Sequence, residues 1–206
     1  MSTKSKAIVW LIILWLTGCA GCGSAPIALP SESPALLGPS PEPAAGTPDQ
    51  VRLKDALTGR ELPPGEVADL SERLLANGNS TLQDQETMAR LELVLLKALK
   101  TQDKTYQPIL WRNLGIIHYH QRKYKQARQE LQASNELNPR SARTHFYLAR
   151  LFVKQGEVYE RQGKKRVSRQ QFKRAAIEMG QAHKLEPQNS LYRQDIKKVM
   201  EQEQGQ

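Results

Sequence analysis

The 206-residue sequence contains few of the residues that form catalytic and metal-binding sites. Its two cysteines both lie near the amino terminus, so the rest of the chain can build neither a disulfide nor a cysteine metal site. None of its four histidines stands four residues from another, as a helical metal pair requires. No phosphate-binding glycine loop, nucleophile elbow or evident carboxylate pair is present. We therefore predict a protein that is not an enzyme and that has no metal and no cofactor.

Long apolar runs are also scarce. The longest spans residues 7–16, about half of the roughly 20 residues that a bilayer-spanning helix needs. Lys4 and Lys6 precede it, and Leu16-Thr17-Gly18-Cys19 follows at once. A basic start, a short apolar run and small residues at its end are typical of a cleaved secretion signal.

The tetrapeptide that ends in Cys19 resembles the lipobox of bacterial lipoproteins. The resemblance implies that residues 1–18 are removed as a signal peptide and that Cys19 is lipidated and anchors the chain in a membrane. Ala20, rather than aspartate, follows the cysteine, which by resemblance implies delivery to the outer membrane, facing the periplasm. Cys19 and Cys22 also form a C-x-x-C pair, but a redox pair requires a helix start on a folded domain. Lipidation is therefore the preferred interpretation.

The segment after the signal is rich in proline and nearly uncharged. Prolines occur at positions 26, 30, 34, 39, 41, 43 and 48. Such a composition cannot bury enough apolar surface to fold, so residues 19–50 are predicted to be a disordered linker. Its reach is about 30 to 90 Å, depending on its stiffness.

A pattern for two antiparallel helices occupies residues 108–141. Small and large apolar residues recur at the spacing of one helix face and are followed by a stop signal: Trp111, Leu114, Gly115, Ala127, Leu131 and Pro139. Gly115 would allow the second helix to approach closely, and Ala127 is the small residue that would lie against it. Pro139 ends the second helix because proline lacks the amide hydrogen.

This spacing resembles the tetratricopeptide repeat (TPR). A second copy fits residues 142–189, with His145, Ala149 and Phe152 on its first helix. Its closing Pro187 lies 48 residues after Pro139 rather than 34. Either both helices are about two turns longer, with a turn at residues 162–164, or a loop is inserted between helices of ordinary length; we prefer the first interpretation. His118 and His145 occupy positions that normally pack in the core.

The flanking segments are predicted to cap the repeats, because each repeat buries its faces only against its neighbours. Residues 51–107 are predicted to form a degenerate helical hairpin, with helices from about 64 to 77 and from 80 to 101. Residues 190–206 are predicted to be a capping helix and tail, begun by Ser190 and packed through Leu191, Ile196, Val199 and Met200. The expected fold is all-α, a short solenoid of TPR-like antiparallel hairpins.

The net charge of +9 is unevenly distributed. Residues 108–200 carry 20 basic and 7 acidic side chains. Many of the basic ones cluster in the enlarged second repeat: Arg161, Lys164, Lys165, Arg166, Arg169, Lys173 and Arg174. Such a cluster attracts anionic partners, but an exported protein has little access to nucleic acid. The remaining candidate partners are acidic protein, anionic lipid and cell-wall polymer. The alternative is that the cluster is a solvated end of the hairpin and binds no partner.

The TPR resemblance also implies a binding surface on the first helix of each hairpin. Carried to this chain, the positions expected to be exposed and to bind a partner are Arg112, Asn113, Ile116, Tyr119, Arg143, Phe146 and Arg150, beside His120, Tyr147 and Lys154. The arginines and Asn113 partly resemble the residues with which some TPR domains grip a peptide carboxylate.

These observations predict a lipid-anchored adaptor that binds an envelope protein or an acidic peptide segment, in the assembly of a pilus, a secretin or outer-membrane machinery. The alternative is a wall-associated or regulatory lipoprotein whose basic hairpin binds anionic polymer or a wall enzyme. The sequence leaves the oligomeric state open.

Overall fold

The computed structural model describes residues 47–59, 61–76, 80–195 and 199. The predicted signal peptide, Cys19 and linker residues 19–46 lie outside the described residues. The described ranges form seven α-helices and one 3-10 helix: α1 (Pro48–Thr58), α2 (Pro64–Leu74), the 3-10 helix (Ser80–Gln83), α3 (Gln85–Leu99), α4 (Gln107–His120), α5 (Tyr124–Leu137), α6 (Ala142–Arg161) and α7 (Lys165–Leu185). Residues 190–195 and 199 are also helical and are called the C-terminal helix below. Consecutive helices pack as pairs, which confirms the all-α, TPR-like solenoid. None of the described helices is long and apolar enough to cross a membrane.

The α4–α5 hairpin is built on a close crossing at Gly115. A Cβ atom added to Gly115 would lie 2.7 Å from Cγ of Leu131 and 3.3 Å from the carbonyl oxygen of Ala127. Ala127 and Leu131 are fully buried. The close approach predicted from the sequence is therefore confirmed.

The α6–α7 hairpin has the same plan with longer helices. Relative to the equivalent positions of α4 and α5, α6 continues seven residues further and α7 begins seven residues earlier. The turn lies at residues 162–164, so the preferred interpretation is confirmed and the inserted loop is wrong.

The extension of this hairpin has its own close contact, which the sequence analysis missed. A Cβ atom on Gly156 would meet the ring of Phe172 at 2.8 Å, and the hydroxyl of Ser168 donates to the carbonyl oxygen of Gly156 at 3.0 Å. Phe172 is 1% exposed, so the added turns are packed rather than merely helical.

The amino-terminal segment is a three-helix unit rather than the predicted hairpin. Helix α1 begins inside the stretch assigned to the linker. Thr47 and Gln50 form a reciprocal capping box, with Pro48 in the first turn. Leu53 and Ala56 are buried, and α1 packs on α3. The proline-rich composition concealed this helix start.

The boundaries of the next two helices also differ from those predicted. Helix α2 ends at Leu74, and residues 77–79 lie outside the described residues. Helix α3 begins after Asp84, whose carboxylate accepts from the amides of Glu86 and Thr87. Ser80 instead starts the 3-10 helix. Along α3, Leu91 and Leu95 are buried, whereas Leu93 is 59% exposed, so this helix buries one face only at these positions.

The turns of the two repeats differ at one equivalent position. In both turns the chain passes through the left-handed region, at Arg122 with φ 62° and at Gly163 with φ 72°. The amide of the following residue donates back to the last helical turn, at 2.8 Å in the first hairpin and 2.9 Å in the second. Glycine adopts this conformation without strain, whereas an L side chain does not.

Arg122→Gly is accordingly expected to raise the free energy of unfolding by about 1 kcal/mol, because it removes this strain. Urea denaturation of the two proteins measures the change. Gly163→Ala is the matched control and should lower stability by a similar amount. An Arg122→Gly protein no more stable than the wild type would contradict the strain argument.

Candidate functional site

The concave face formed by α4 and α6 is largely covered by the chain itself. Asn113 and Ile116 are fully buried, Phe146 is 1% exposed and Tyr119 is 8% exposed. Their predicted exposure is wrong, as is that of Tyr147. The reason is that segments outside the repeats lie on this face: the side-chain amide of Asn113 donates to Ser71 of α2 at 2.7 Å. The partner-binding role of these positions stays a prediction.

Two predicted arginines meet on this face around one carboxylate. Arg112 pairs with Glu72 and also donates to the hydroxyl of Ser141 at 3.3 Å. Nη1 of Arg143 lies 3.8 Å from the same carboxylate, and Nη2 donates to the carbonyl oxygen of Leu75. The arginine side chains are only 12% and 17% exposed.

The arginine pair therefore carries one positive charge in excess. Burial lowers the pKa of Arg112, and the neighbouring charge of Arg143 acts in the same direction, while Glu72 opposes both. Nε of Arg143 is buried and has no hydrogen-bond partner among the described residues. A second carboxylate close to the pair would balance this charge.

A polar cavity of about 570 Å³ adjoins the pair. Its walls carry the arginines of positions 112, 140 and 143, the carboxylates of Glu72 and Glu186, and the polar side chains of Asn138, Asn189 and Tyr192. Burial raises the pKa of Tyr192 to about 12, so its hydroxyl is a neutral hydrogen-bond donor at physiological pH. The cavity is large enough for a peptide side chain or terminus.

Arg150, the third predicted arginine, lies apart from the other two. Its guanidinium stacks 5.5 Å from the ring centroid of Tyr119 and 5.3 Å from that of Phe146. It lines a second cavity of about 240 Å³ with Val153, Lys154, Glu157, Asp195 and Val199. The C-terminal helix thus borders both cavities, and the three arginines do not form a single carboxylate site.

Sequence analysis missed the ionic partners of two buried histidines. His118 and His145 pack in the core as predicted. Nδ1 of His118 lies 2.6 Å from Glu130 on α5, and Nε2 lies 3.1 Å from Glu92 on α3. His145 lies 2.7 Å from Glu178 on α7. His118 therefore ties α4 to α3 and α5, and His145 ties α6 to α7, through ion pairs when the imidazoles are protonated.

These contacts raise the pKa of both histidines. Burial opposes protonation of His118, but the hydrogen bonds that the protonated imidazole donates to Glu130 and Glu92 outweigh this effect on the pKa. For His145 the hydrogen bond to Glu178 is the largest cause. Burial acts to raise the pKa of Glu92. The hydrogen bonds that its carboxylate accepts from Gln121 and His118 act in the opposite direction, and the pKa is lowered.

Stability should therefore fall as the pH rises above neutrality. The raised pKa means that the histidine contribution is complete below about pH 6.5 and is lost as the pH rises through the folded-state value. We expect a lower Tm at pH 8.5 than at pH 6, measured by circular dichroism.

The double variant His118→Gln, His145→Gln should flatten this dependence. The double variant also separates the effect of these two histidines from that of His120. Burial lowers the pKa of His120, so His120 makes stability rise, not fall, with pH. If the double variant shows the same difference in Tm between pH 6 and pH 8.5 as the wild type, the two histidines are not the cause of the pH dependence.

The basic hairpin, defined as Arg161, Lys164, Lys165, Arg166 and Arg169, lies at the tip of α6 and α7. All five side chains are exposed. Lys164 stacks over the ring of Tyr159 at 5.9 Å, and Val158 nearby is 39% exposed. Among the described residues, no group of three histidine, cysteine, aspartate or glutamate side chains could hold a metal ion.

Comparison with known proteins agrees with the first hairpin. The family model of the tetratricopeptide repeat matches residues 108–141, the segment that contains α4 and α5. No curated protein matches the chain. TPR domains typically bind other proteins and are generally not enzymes. Residues 108–141 are therefore similar to a TPR unit, a repeat that suggests a role in protein–protein interaction.

Proposed function

We propose that this protein is a lipid-anchored adaptor on the outer membrane of a bacterium, facing the periplasm, that binds another envelope protein during assembly of a complex such as a pilus, a secretin or outer-membrane machinery. The observation that carries the binding role is the Arg112–Arg143 pair beside the 570 Å³ cavity. The lipobox-like sequence before Cys19 supports the anchor and the location.

The partner segment is expected to be acidic. The guanidiniums of Arg112 and Arg143 share the carboxylate of Glu72. A carboxylate from the partner, on a side chain or at a chain terminus, would enter the cavity, where three arginines outnumber the carboxylates of Glu72 and Glu186. Arginine suits this role because its planar fork can hold a carboxylate through two hydrogen bonds.

Photocrosslinking in intact cells tests the binding site. A probe at Arg140, which is exposed on the cavity wall, should capture one envelope protein. A probe at Lys125, exposed on α5, is the control and should not. Capture from Lys125 alone would show that the concave face is not the site.

The anchor has a separate test. Cys19→Ser should abolish incorporation of labelled palmitate and release the protein from the membrane fraction. A Cys19→Ser protein that still takes up label would contradict the lipobox assignment.

The exposed charge of the basic hairpin supports a second candidate, which is binding of anionic cell-wall polymer. Arg161, Lys164, Lys165, Arg166 and Arg169 are all exposed at one tip. Polymer binding through such charges should collapse between about 0.05 and 0.5 M salt because the Debye length shortens. Cosedimentation with purified cell wall at the two salt concentrations measures this. Binding that persists at high salt would exclude the charge mechanism.

A further inference from the structure

We propose that the groove between α5 and α7 is a second binding site, for an extended acidic segment of a partner protein that presents an aliphatic side chain between two carboxylates. The groove encloses a cavity of about 360 Å³, and Phe152 of α6 is part of its lining. The site goes beyond the proposed function, because it uses neither Arg112 nor Arg143. A chain with both sites would hold two acidic segments at once.

The groove lies on the side of α6 that faces away from the concave face. Arg150 stacks on Tyr119 at the concave face, and Phe152 follows Arg150 by two residues. Two residues turn an α-helix by about 200°, so these two side chains leave α6 in nearly opposite directions. Of the residues that the structure describes, only members of α5, α6 and α7 line this cavity. The site is therefore separate from the arginine pair and from the C-terminal helix.

Helical spacing brings the walls of the groove together. On α5, Gln132 follows Arg128 by four residues, and on α7, Ile177 and Glu178 follow Arg174 by three and four. Residues at these spacings lie on one face of a helix. Helices α5 and α7 both pack on α6, so the two faces border one cavity.

Two arginines stack on the same aromatic ring in this groove. The guanidinium carbon of Arg128 lies 5.6 Å from the centroid of the Phe152 ring, and that of Arg174 lies 5.9 Å from it. Stacking of this kind uses the flat face of the guanidinium and leaves the N–H groups at its edge free. Neither guanidinium has a hydrogen-bond or ion-pair partner within the described ranges. The ring thus holds in place two arginines whose donors are available to a ligand.

The charges that line the cavity favour an acidic ligand. Glu178 is the acidic residue among its described walls, and its carboxylate already lies 2.7 Å from Nδ1 of His145. The two groove arginines therefore lack a carboxylate, whereas Arg90, for example, pairs with Glu86. A carboxylate can accept two charge-assisted hydrogen bonds from one guanidinium. Each groove arginine would therefore take one acidic side chain of the ligand.

Apolar surface between the arginines adds a second requirement. Phe152 and Ile177 both line the cavity, and Ile177 is 57% exposed. An aliphatic side chain of the ligand would remove this surface from water. Side chains at alternate positions of an extended segment lie on one side of it. Acidic, aliphatic and acidic residues at alternate positions therefore match the charges and the apolar surface of the groove.

A short peptide without terminal charges tests the site. The probe is acetyl-Glu-Ser-Leu-Ser-Glu-amide, titrated into the full-length protein labelled with ¹⁵N. Amide resonances of residues 128–132 and 174–178 should shift. The affinity should fall at least about tenfold when glutamine replaces both glutamates, because the charge-assisted hydrogen bonds are lost.

The position of the shifts separates this proposal from the proposed function. Shifts confined to the surroundings of residues 112 and 143 would overturn the groove site and leave the adaptor function standing. The absence of shifts at residues 128–132 and 174–178 would overturn the groove site in every case.

A pair of double variants distinguishes the groove from general charge attraction. Arg128→Gln, Arg174→Gln should bind the labelled probe at least about tenfold more weakly than the wild type, as measured by fluorescence anisotropy. Lys125→Gln, Lys173→Gln is the matched control, because it removes the same charge from exposed neighbours that do not line the cavity. It should change the affinity by less than about twofold, since exposed charges are screened by salt. Equal losses in the two double variants would overturn the proposal.

Discussion

Replacing Gly115 with leucine is expected to lower the free energy of unfolding by about 3 kcal/mol. Even a single Cβ atom at this position would lie 2.7 Å from Cγ of Leu131, closer than real Cβ contacts come. Leu131 is fully buried, and the carbonyl oxygen of Ala127 lies only 3.3 Å from the same Cβ position. The leucine can therefore be accommodated only if α4 and α5 move apart. Urea denaturation followed by circular dichroism measures the loss.

Gly180 supplies the matched control because it is also a helical glycine. No atom lies within 4 Å of a Cβ built there. Gly180→Ala should therefore raise stability by up to about 1 kcal/mol, through helix propensity alone. Ala127→Leu, on the facing helix, should act like Gly115→Leu. If Gly115→Leu and Ala127→Leu both unfold at the same urea concentration as the wild type, the helix register is wrong.

Removing the charge of Glu72 should produce the second large effect. Glu72→Gln leaves Arg112 and Arg143 close together without a carboxylate between them, and breaking such a buried pair is strongly destabilising. Because the Glu72 side chain is 39% exposed, solvent moderates the loss, and we expect about 2 kcal/mol. Thermal and urea unfolding at low salt measure it.

Two comparisons make this prediction specific. Glu86→Gln removes a carboxylate that is 72% exposed and paired with Arg90, so it should change stability by less than about 0.5 kcal/mol. Added phosphate should restore part of the stability of Glu72→Gln and leave Glu86→Gln unchanged, because an anion can bind the uncovered arginines. Equal losses in the two variants would mean that the arginine pair does not depend on Glu72.

The sequence predicted the repeat hairpins because their determinants are local. Gly115, Ala127 and Leu131 lie within 17 residues of one another, and their spacing specifies which faces meet. The longer second hairpin followed from the same argument, since equal extension of both helices preserves the contacts. Gly156 could have been recognised as a second close crossing from its small size within a helical pattern.

The covered concave face was not predicted because it depends on contacts distant in sequence. Asn113 is held by Ser71, 42 residues earlier, and Phe146 is covered by Tyr192, 46 residues later. A repeat pattern describes how a unit packs on its neighbours, not which other segment lies on its open face. The Arg112–Glu72 pair and the Glu92–His118 pair were missed for the same reason.

The equal extension of α6 and α7 limits how the hairpin can change in length. An α-helix turns by about 100° per residue, so seven residues bring it to within about 20° of its starting orientation. A paired insertion that does not complete whole turns would rotate Gly156 and Phe172 at the tip away from each other. An increment of seven residues is about 10 Å long. The distance from the concave face to the basic hairpin can therefore change only by insertions that bring both helices back close to their starting orientation.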